Sequence, residues 1–255
     1  MSILTPEQFR DLRALIDAPE VGPVVENDWF AEWHDAGKVA DACVWAMQRQ
    51  MGRFLSALFS PYSDGFIELR AVPGDVAKQA GEKAVTRFVF LPDVLDPAKR
   101  RDTLQGVWDW ASGYAAAGRA IYVGVLPRGR ARGRAADIYQ AGFIWADLDF
   151  KIGGPEAAFA AIDEHKPDIV VLSGYGAHAY WKLPTVRSLA EGGAKRFSNW
   201  LKRKQQEVLP GSDPVQDVAR VLRLPGFLNW KQPEDPRPVV MACYKKREKN
   251  ADPVG

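Results

Sequence analysis

The stretch Phe143-Ile144-Trp145-Ala146-Asp147-Leu148-Asp149-Phe150 sets two carboxylates two residues apart in an otherwise apolar run. On a strand successive side chains face opposite ways, so Asp147 and Asp149 project together while Ile144, Ala146, Leu148 and Phe150 form the other face. Neighbouring unpaired carboxylates repel and shift each other's pKa, and a divalent cation between them relieves that repulsion. A solvated strand end with two acids is the plain alternative. Downstream, Ser173-Gly174-Tyr175-Gly176-Ala177-His178-Ala179-Tyr180-Trp181-Lys182-Leu183 places a glycine turn before a strand on which His178, Tyr180 and Lys182 share a face. Such a turn followed by His and Lys can hold phosphate oxygens by hydrogen bonds and charge; the alternative is a satisfied surface histidine. A third stretch, from Gly211 to Lys231, offers the carboxylates Asp213 and Asp217 and then Arg220, Arg223 and Lys231 separated by apolar residues. Guanidinium forks suit triphosphate oxygens, although alone this segment also reads as an amphipathic helix with a basic face. The three stretches together supply what nucleotidyl transfer needs: carboxylates for metal ions that bridge attacking and leaving oxygens, and basic groups that hold a triphosphate.

These residues need a rigid support. Phe66 to Ala71, Thr86 to Leu91, Ala120 to Leu126, Phe143 to Phe150, Asp168 to Ser173 and His178 to Leu183 are short runs rich in Ile, Val, Phe, Tyr and Trp, bounded by Gly, Pro or Asp, and read as strands. Helical spacing falls at about 40–59, where Met47, Met51, Phe54, Leu55 and Leu58 share a face, and at 97–117, 154–165 and 185–208. Thr5 with Pro6 and Glu7 signals an earlier helix start. Helices mixed irregularly with strands predict an α+β fold. The expected organisation is a helical segment over 1–60 packed on a domain over 61–255.

Composition narrows the function classes. Of 255 residues, 47% are hydrophobic and 26% charged, values of a folded globular chain that disfavour disorder, collagen and coiled coil. Cys43 and Cys243 are far apart and form no paired ligand spacing, which disfavours a disulfide scaffold or structural zinc and fits a reducing, cytoplasmic setting. The longest apolar runs are much too short to span a membrane. The formal charge of +2 hides an asymmetry: residues 1–50 carry four basic and nine acidic side chains. Positive charge concentrates instead at Arg128, Arg130, Arg132 and Arg134, at Lys202-Arg203-Lys204 and at Lys245-Lys246-Arg247. Such clusters can neutralise phosphates or simply form solvated faces.

The three stretches resemble the three signature motifs of the archaeo-eukaryotic primase superfamily, in its primase-polymerase and plasmid or phage replication primase branches. The first motif is an apolar strand ending in Asp-x-Asp or Asp-x-Glu, matched by Asp147-Leu148-Asp149. The second is a small residue, any residue, then His, matched by Gly176-Ala177-His178. The third is an aspartate before an Arg-rich strand or helix, matched from Asp213 to Lys231. The resemblance covers about residues 60–245. It implies a catalytic core with a twisted mixed or antiparallel sheet flanked by helices. It implies that Asp147, Asp149 and Asp213 hold Mg²⁺ or Mn²⁺, with Asp217 as the alternative third ligand. It also implies that His178 and Gly176 contact the incoming nucleotide's phosphates and that Arg220, Arg223 and Lys231 bind the triphosphate. Gly176 departs from the Ser of many members, so a backbone N–H replaces the hydroxyl. Arg128, Arg130, Arg132 and Arg134 become contacts for DNA phosphates. The implied activity is a DNA primase or polymerase joining nucleoside triphosphates on a single-stranded DNA template, with a replicative helicase or accessory helical domain as a further partner. The competing readings are a non-catalytic replication-initiator module that binds DNA and a metal-dependent nuclease.

Overall fold

The computed structural model describes residues 39–208, 210, 215–232 and 234–244. The signal at Thr5, the cluster Lys245-Lys246-Arg247 and the carboxylate Asp213 lie outside the described residues. The chain runs through α1 (Val39–Phe59), β1 (Phe66–Val72), α2 (Asp75–Gln79), β2 (Val85–Phe90), α3 (Leu91–Leu95), α4 (Arg100–Ala116) and β3 (Ala120–Gly124). A 3-10 turn at Ala135–Asp137 leads to β4 (Gln140–Asp149), α5 (Gly154–His165), β5 (Ile169–Leu172), β6 (Gly176–Ser188), α6 (Gly193–Val208), β7 (Val221–Arg223), β8 (Phe227–Asn229) and β9 (Arg237–Tyr244).

The class is α+β, with two sheets where one was expected. The first has the order β2-β1-β3-β7 and the second β4-β6-β5-β9-β8; every strand pair in them is antiparallel. The alternation of β1 explains how the first sheet sits. Ile67, Leu69 and Ala71 are buried against the core beside Ile121, Val123 and Leu222, which leaves Glu68, Arg70, Tyr122 and Arg223 on the opposite face. α4 packs on β1, β3 and β8, and α5 and α6 pack on β4. In α1 the stripe Met47, Met51, Phe54, Leu55 and Leu58 is buried in the same core. Gln50 of this helix accepts the Met241 N–H at 3.0 Å, so α1 is fastened to the second sheet. No helix among the described residues is long and apolar enough to cross a membrane.

Three expectations change. The helix expected from 185 begins at Gly193, because β6 continues to Ser188: Gln140 and Ala141 of β4, beyond an irregularity before Phe143, pair with Ser188 and Arg187. The helical stretch from 97 starts at Arg100, with α3 as a separate short turn before it. The third chemical stretch forms neither a basic helix nor one strand. It makes β7 in the first sheet and β8 in the second, joined through Leu224-Pro225-Gly226. Gly226 has φ +95°, and a side chain there would run into the Met47 carbonyl of α1; glycine meets both demands.

Candidate active site

The carboxylate pair sits at the end of β4. Its register with β6 sets Asp147 opposite His178 and Asp149 opposite Gly176, and residues directly opposite on antiparallel strands share a face. The same face also carries Trp145 and Phe143, both buried. The strand is therefore apolar on both sides through most of its length and turns polar only at its end.

Trp145 does more than fill space. Its indole N–H donates to the Val215 carbonyl at 2.8 Å, and its own carbonyl accepts from the Gln205 amide at 2.9 Å. Gln205 in turn accepts the Val215 N–H at 3.2 Å. Gln205 is 2% exposed, and water competes little for these bonds. They tie Val215 of the third stretch to β4, two residues before Asp147. Beyond it, β7 pairs with β3 so that Arg223 lies opposite Tyr122 and packs its guanidinium over that ring, 4.9 Å from the centroid.

Asp147, Asp149, Gly176, His178, Arg220, Arg223 and Lys231 all line one open cleft of about 940 Å³ between the two sheets. Tyr122, Tyr175 and Asn229 line it too, and no sequence signal singled them out. Asn229 is buried and bridges, donating to the Ser173 carbonyl at 2.6 Å and accepting the Lys231 N–H at 2.9 Å. Tyr175 sits in the Ser173-Gly174-Tyr175 turn between β5 and β6. Its hydroxyl donates to the Asp235 carbonyl at 2.5 Å, and Arg237 covers its ring at 4.4 Å. Gly174, before it, has φ +92°, as a primed hairpin turn requires.

His178 is 4% exposed. Burial pushes its pKa down; Asp147 opposes this and Arg223 reinforces it. The ring is thus neutral at neutral pH, with Nε2 3.8 Å from Asp147 Oδ1, beyond hydrogen-bond range. Burial likewise lowers the Arg223 pKa, against Tyr122 and Asp147. Among the described residues, His178 Nδ1, Arg220 Nε and Arg223 Nη1 are buried without a hydrogen-bond partner. An unpaired buried polar atom costs about 1–3 kcal/mol, and here four such atoms, Trp230 Nε1 being the fourth, belong to residues lining one cleft. A polyanionic ligand could satisfy them.

Gly176 explains its own identity. A Cβ there would lie 2.7 Å from the Leu148 carbonyl oxygen and 3.3 Å from the Asp149 Cα, so β6 approaches the carboxylate strand too closely for serine.

Other expected residues stand elsewhere. Asp217 is exposed and ion-paired to Arg220 at 2.7 Å, and is not among the cleft residues. Lys182 lies opposite Phe143, four residues and roughly 13 Å along the strand from His178. Arg128 is a correction: it is fully buried and its guanidinium is out of reach of a DNA phosphate. It pairs with Glu68, itself 1% exposed, at 2.6 Å, and donates to the carbonyls of Ala219 at 3.0 Å and Val218 at 3.4 Å. Glu68 also takes Arg70 at 2.6 Å. Close approach at Gly124 and Gly133 makes room for the pair, since a Cβ would meet Arg128 Nη2 at 2.9 Å at the first and Glu68 Oε1 at the second. Arg130 and Arg134 are exposed, and Arg132 pairs with Asp137 at 3.0 Å.

Among the described residues no three His, Cys, Asp or Glu side chains gather into a metal site. The two carboxylates nevertheless fit Mg²⁺ or Mn²⁺. Both are hard oxygen donors on one face, and Mg²⁺ is commonly held by one or two carboxylates with water and substrate phosphates completing the shell.

The fold is similar to that of two solved structures. The cyanophage S-2L primase-polymerase domain superposes with a TM-score of 0.52 at 18% identity, over 76% of this chain and 88% of that one. Primase RepB′ gives a TM-score of 0.51, also at 18% identity and over 76% of this chain, but only 55% of RepB′ is spanned. No family model and no curated protein matches the sequence.

Proposed function

We propose that the protein is a metal-dependent nucleotidyltransferase that joins nucleoside triphosphates on a single-stranded DNA template. One observation carries this reading: Asp147 and Asp149 line a single cleft with Arg220, Arg223 and Lys231, and in it buried arginine and histidine nitrogens lack partners among the described residues. Asp147 and Asp149 would hold Mg²⁺ or Mn²⁺. Asp213 is the proposed third ligand, with Asp217, whose carboxylate is engaged by Arg220, as the alternative. When bound, such a cation neutralises charge on the polyphosphate and makes an attacking hydroxyl more acidic.

The chain's own groups do the rest. Arg220, Arg223 and Lys231 hold the triphosphate oxygens, and Arg223 is kept in place by the Tyr122 ring. His178, neutral, places a ring nitrogen beside Asp147 as a hydrogen-bonding group for a phosphate oxygen. Gly176, having no side chain, keeps the backbone of β6 close to Asp149. No protein nucleophile is needed.

A gel assay with single-stranded template, labelled nucleotides and Mg²⁺ or Mn²⁺, with and without primer, tests the reading. The expected result is cation-dependent incorporation that Asp147→Ala abolishes while the fold persists. An Asp147→Ala enzyme extending primers at the wild-type rate contradicts the assignment. Release of mononucleotides from DNA without triphosphates would instead mark a nuclease.

A further inference from the structure

We infer that Phe90, Phe66 and Tyr139, with Arg130 and Arg134 beside them, form a stacking platform for single-stranded nucleic acid outside the cleft. The inference rests on the nucleotidyl-transfer reading only in taking this strand to be the template.

Phe66 and Phe90 stand directly opposite each other at the open ends of β1 and β2, with rings 5.4 Å apart and tilted by 47°. Phe90 is 41% exposed and Tyr139 39%, although side chains of this kind are normally drawn inward. The arginine loop links them. Phe66 and Arg128 exchange both backbone hydrogen bonds, at 2.7 and 2.8 Å. The next residue, Gly129, lies so close to Tyr139 that a Cβ would meet the ring at 2.8 Å. The surface therefore runs from Phe90 through Phe66 and the start of the loop to Tyr139.

The loop supplies the charge. Asp137 is buried and paired with Arg132, while Arg130 and Arg134 are exposed. Aromatic faces interleaved with arginine match a single strand, whose bases are free to stack while its phosphates meet cations. In a duplex the base faces are already stacked and closed to such rings. The platform is also joined to the cleft. The buried Arg128 side chain bonds the Val218 and Ala219 carbonyls, immediately before the cleft residue Arg220.

Fluorescence anisotropy with a labelled oligo-dT strand and a duplex of the same length, without triphosphate, tests this. The double variant Phe90→Ala/Tyr139→Ala is expected to lose about tenfold or more in single-strand affinity and to leave duplex affinity unchanged. Phe90→Tyr/Tyr139→Phe, which keeps both rings, should bind as wild type. Arg130→Ala/Arg134→Ala should flatten the slope of log affinity against log salt by about 1.4, roughly 0.7 per phosphate. Unaltered single-strand affinity in the alanine double variant, equal losses on strand and duplex, or a wild-type chain that binds no single strand overturns the platform and leaves the surface to a protein partner. The readout is binding alone, so a failure of the transfer reading in the gel assay leaves it standing, and its own failure leaves that assay intact.

Discussion

Residues 128–134 and 220–231 both set arginines among small or apolar neighbours, and each segment takes guanidinium nitrogens out of solvent. Arg128 meets an anion inside, the equally buried Glu68, and two backbone carbonyls accept its remaining donors. Arg220 and Arg223 enter the cleft wall with Nε and Nη1 unmatched among the described residues. A buried cation with its bonds complete is part of the scaffold. One with donors left over, beside carboxylates and an open cleft, is arranged for a ligand that the chain itself does not provide. Both segments interleave basic residues with small or apolar ones, and the partners show which is scaffold and which faces the cleft.

Variants of each segment sharpen that contrast. Arg128→Ala leaves the buried Glu68 with Arg70 as its remaining cationic partner, and a loss of about 1.5–3 kcal/mol in urea-monitored stability is expected, as for lost hydrogen bonds to a charged group; a loss below about 1 kcal/mol would break the comparison from the scaffold side. Arg223→Ala should behave oppositely, with stability nearly unchanged and triphosphate affinity down roughly 10- to 100-fold in calorimetry, as for a lost charge-assisted bidentate contact. Gly176→Ala forces a methyl against the Leu148 carbonyl and should cost about 1–3 kcal/mol by overpacking, measured by thermal denaturation. It should also lower incorporation, because Asp149 is on the strand that must move. Arg130→Ala, at an exposed position, should alter stability by no more than about 0.5 kcal/mol, which the same denaturation experiment reads.

Where hydrophobic periodicity was long and clear, the sequence disclosed the elements. The stripe of α1 and the cores of β1 to β6 could be read from it, and so could the shared side of Asp147 and Asp149. Tertiary pairing hid the rest. β7 and β8 are three residues each, too short for any period to register, and they exist because β3 and β9 supply partners. The exposed end of β6 was taken into the following helix because Arg187 and Ser188 carry no strand signal of their own; β4 holds them extended. At the site, the motif order gave the side chains facing the cleft. Arg128 was misplaced because its partner Glu68 is 60 residues away in the chain. Tyr122 escaped notice because it lies in none of the three motifs and its role depends on a register with the distant Arg223.

Calorimetric binding of a nonhydrolysable nucleoside triphosphate, with and without Mn²⁺, to wild type and to Asp147→Asn tests the convergence of carboxylates and cations most directly. The account predicts tight binding only when the cation is present, weakened at least tenfold in the variant with its melting temperature retained. Equal affinity in the two proteins, or binding indifferent to Mn²⁺, would contradict it.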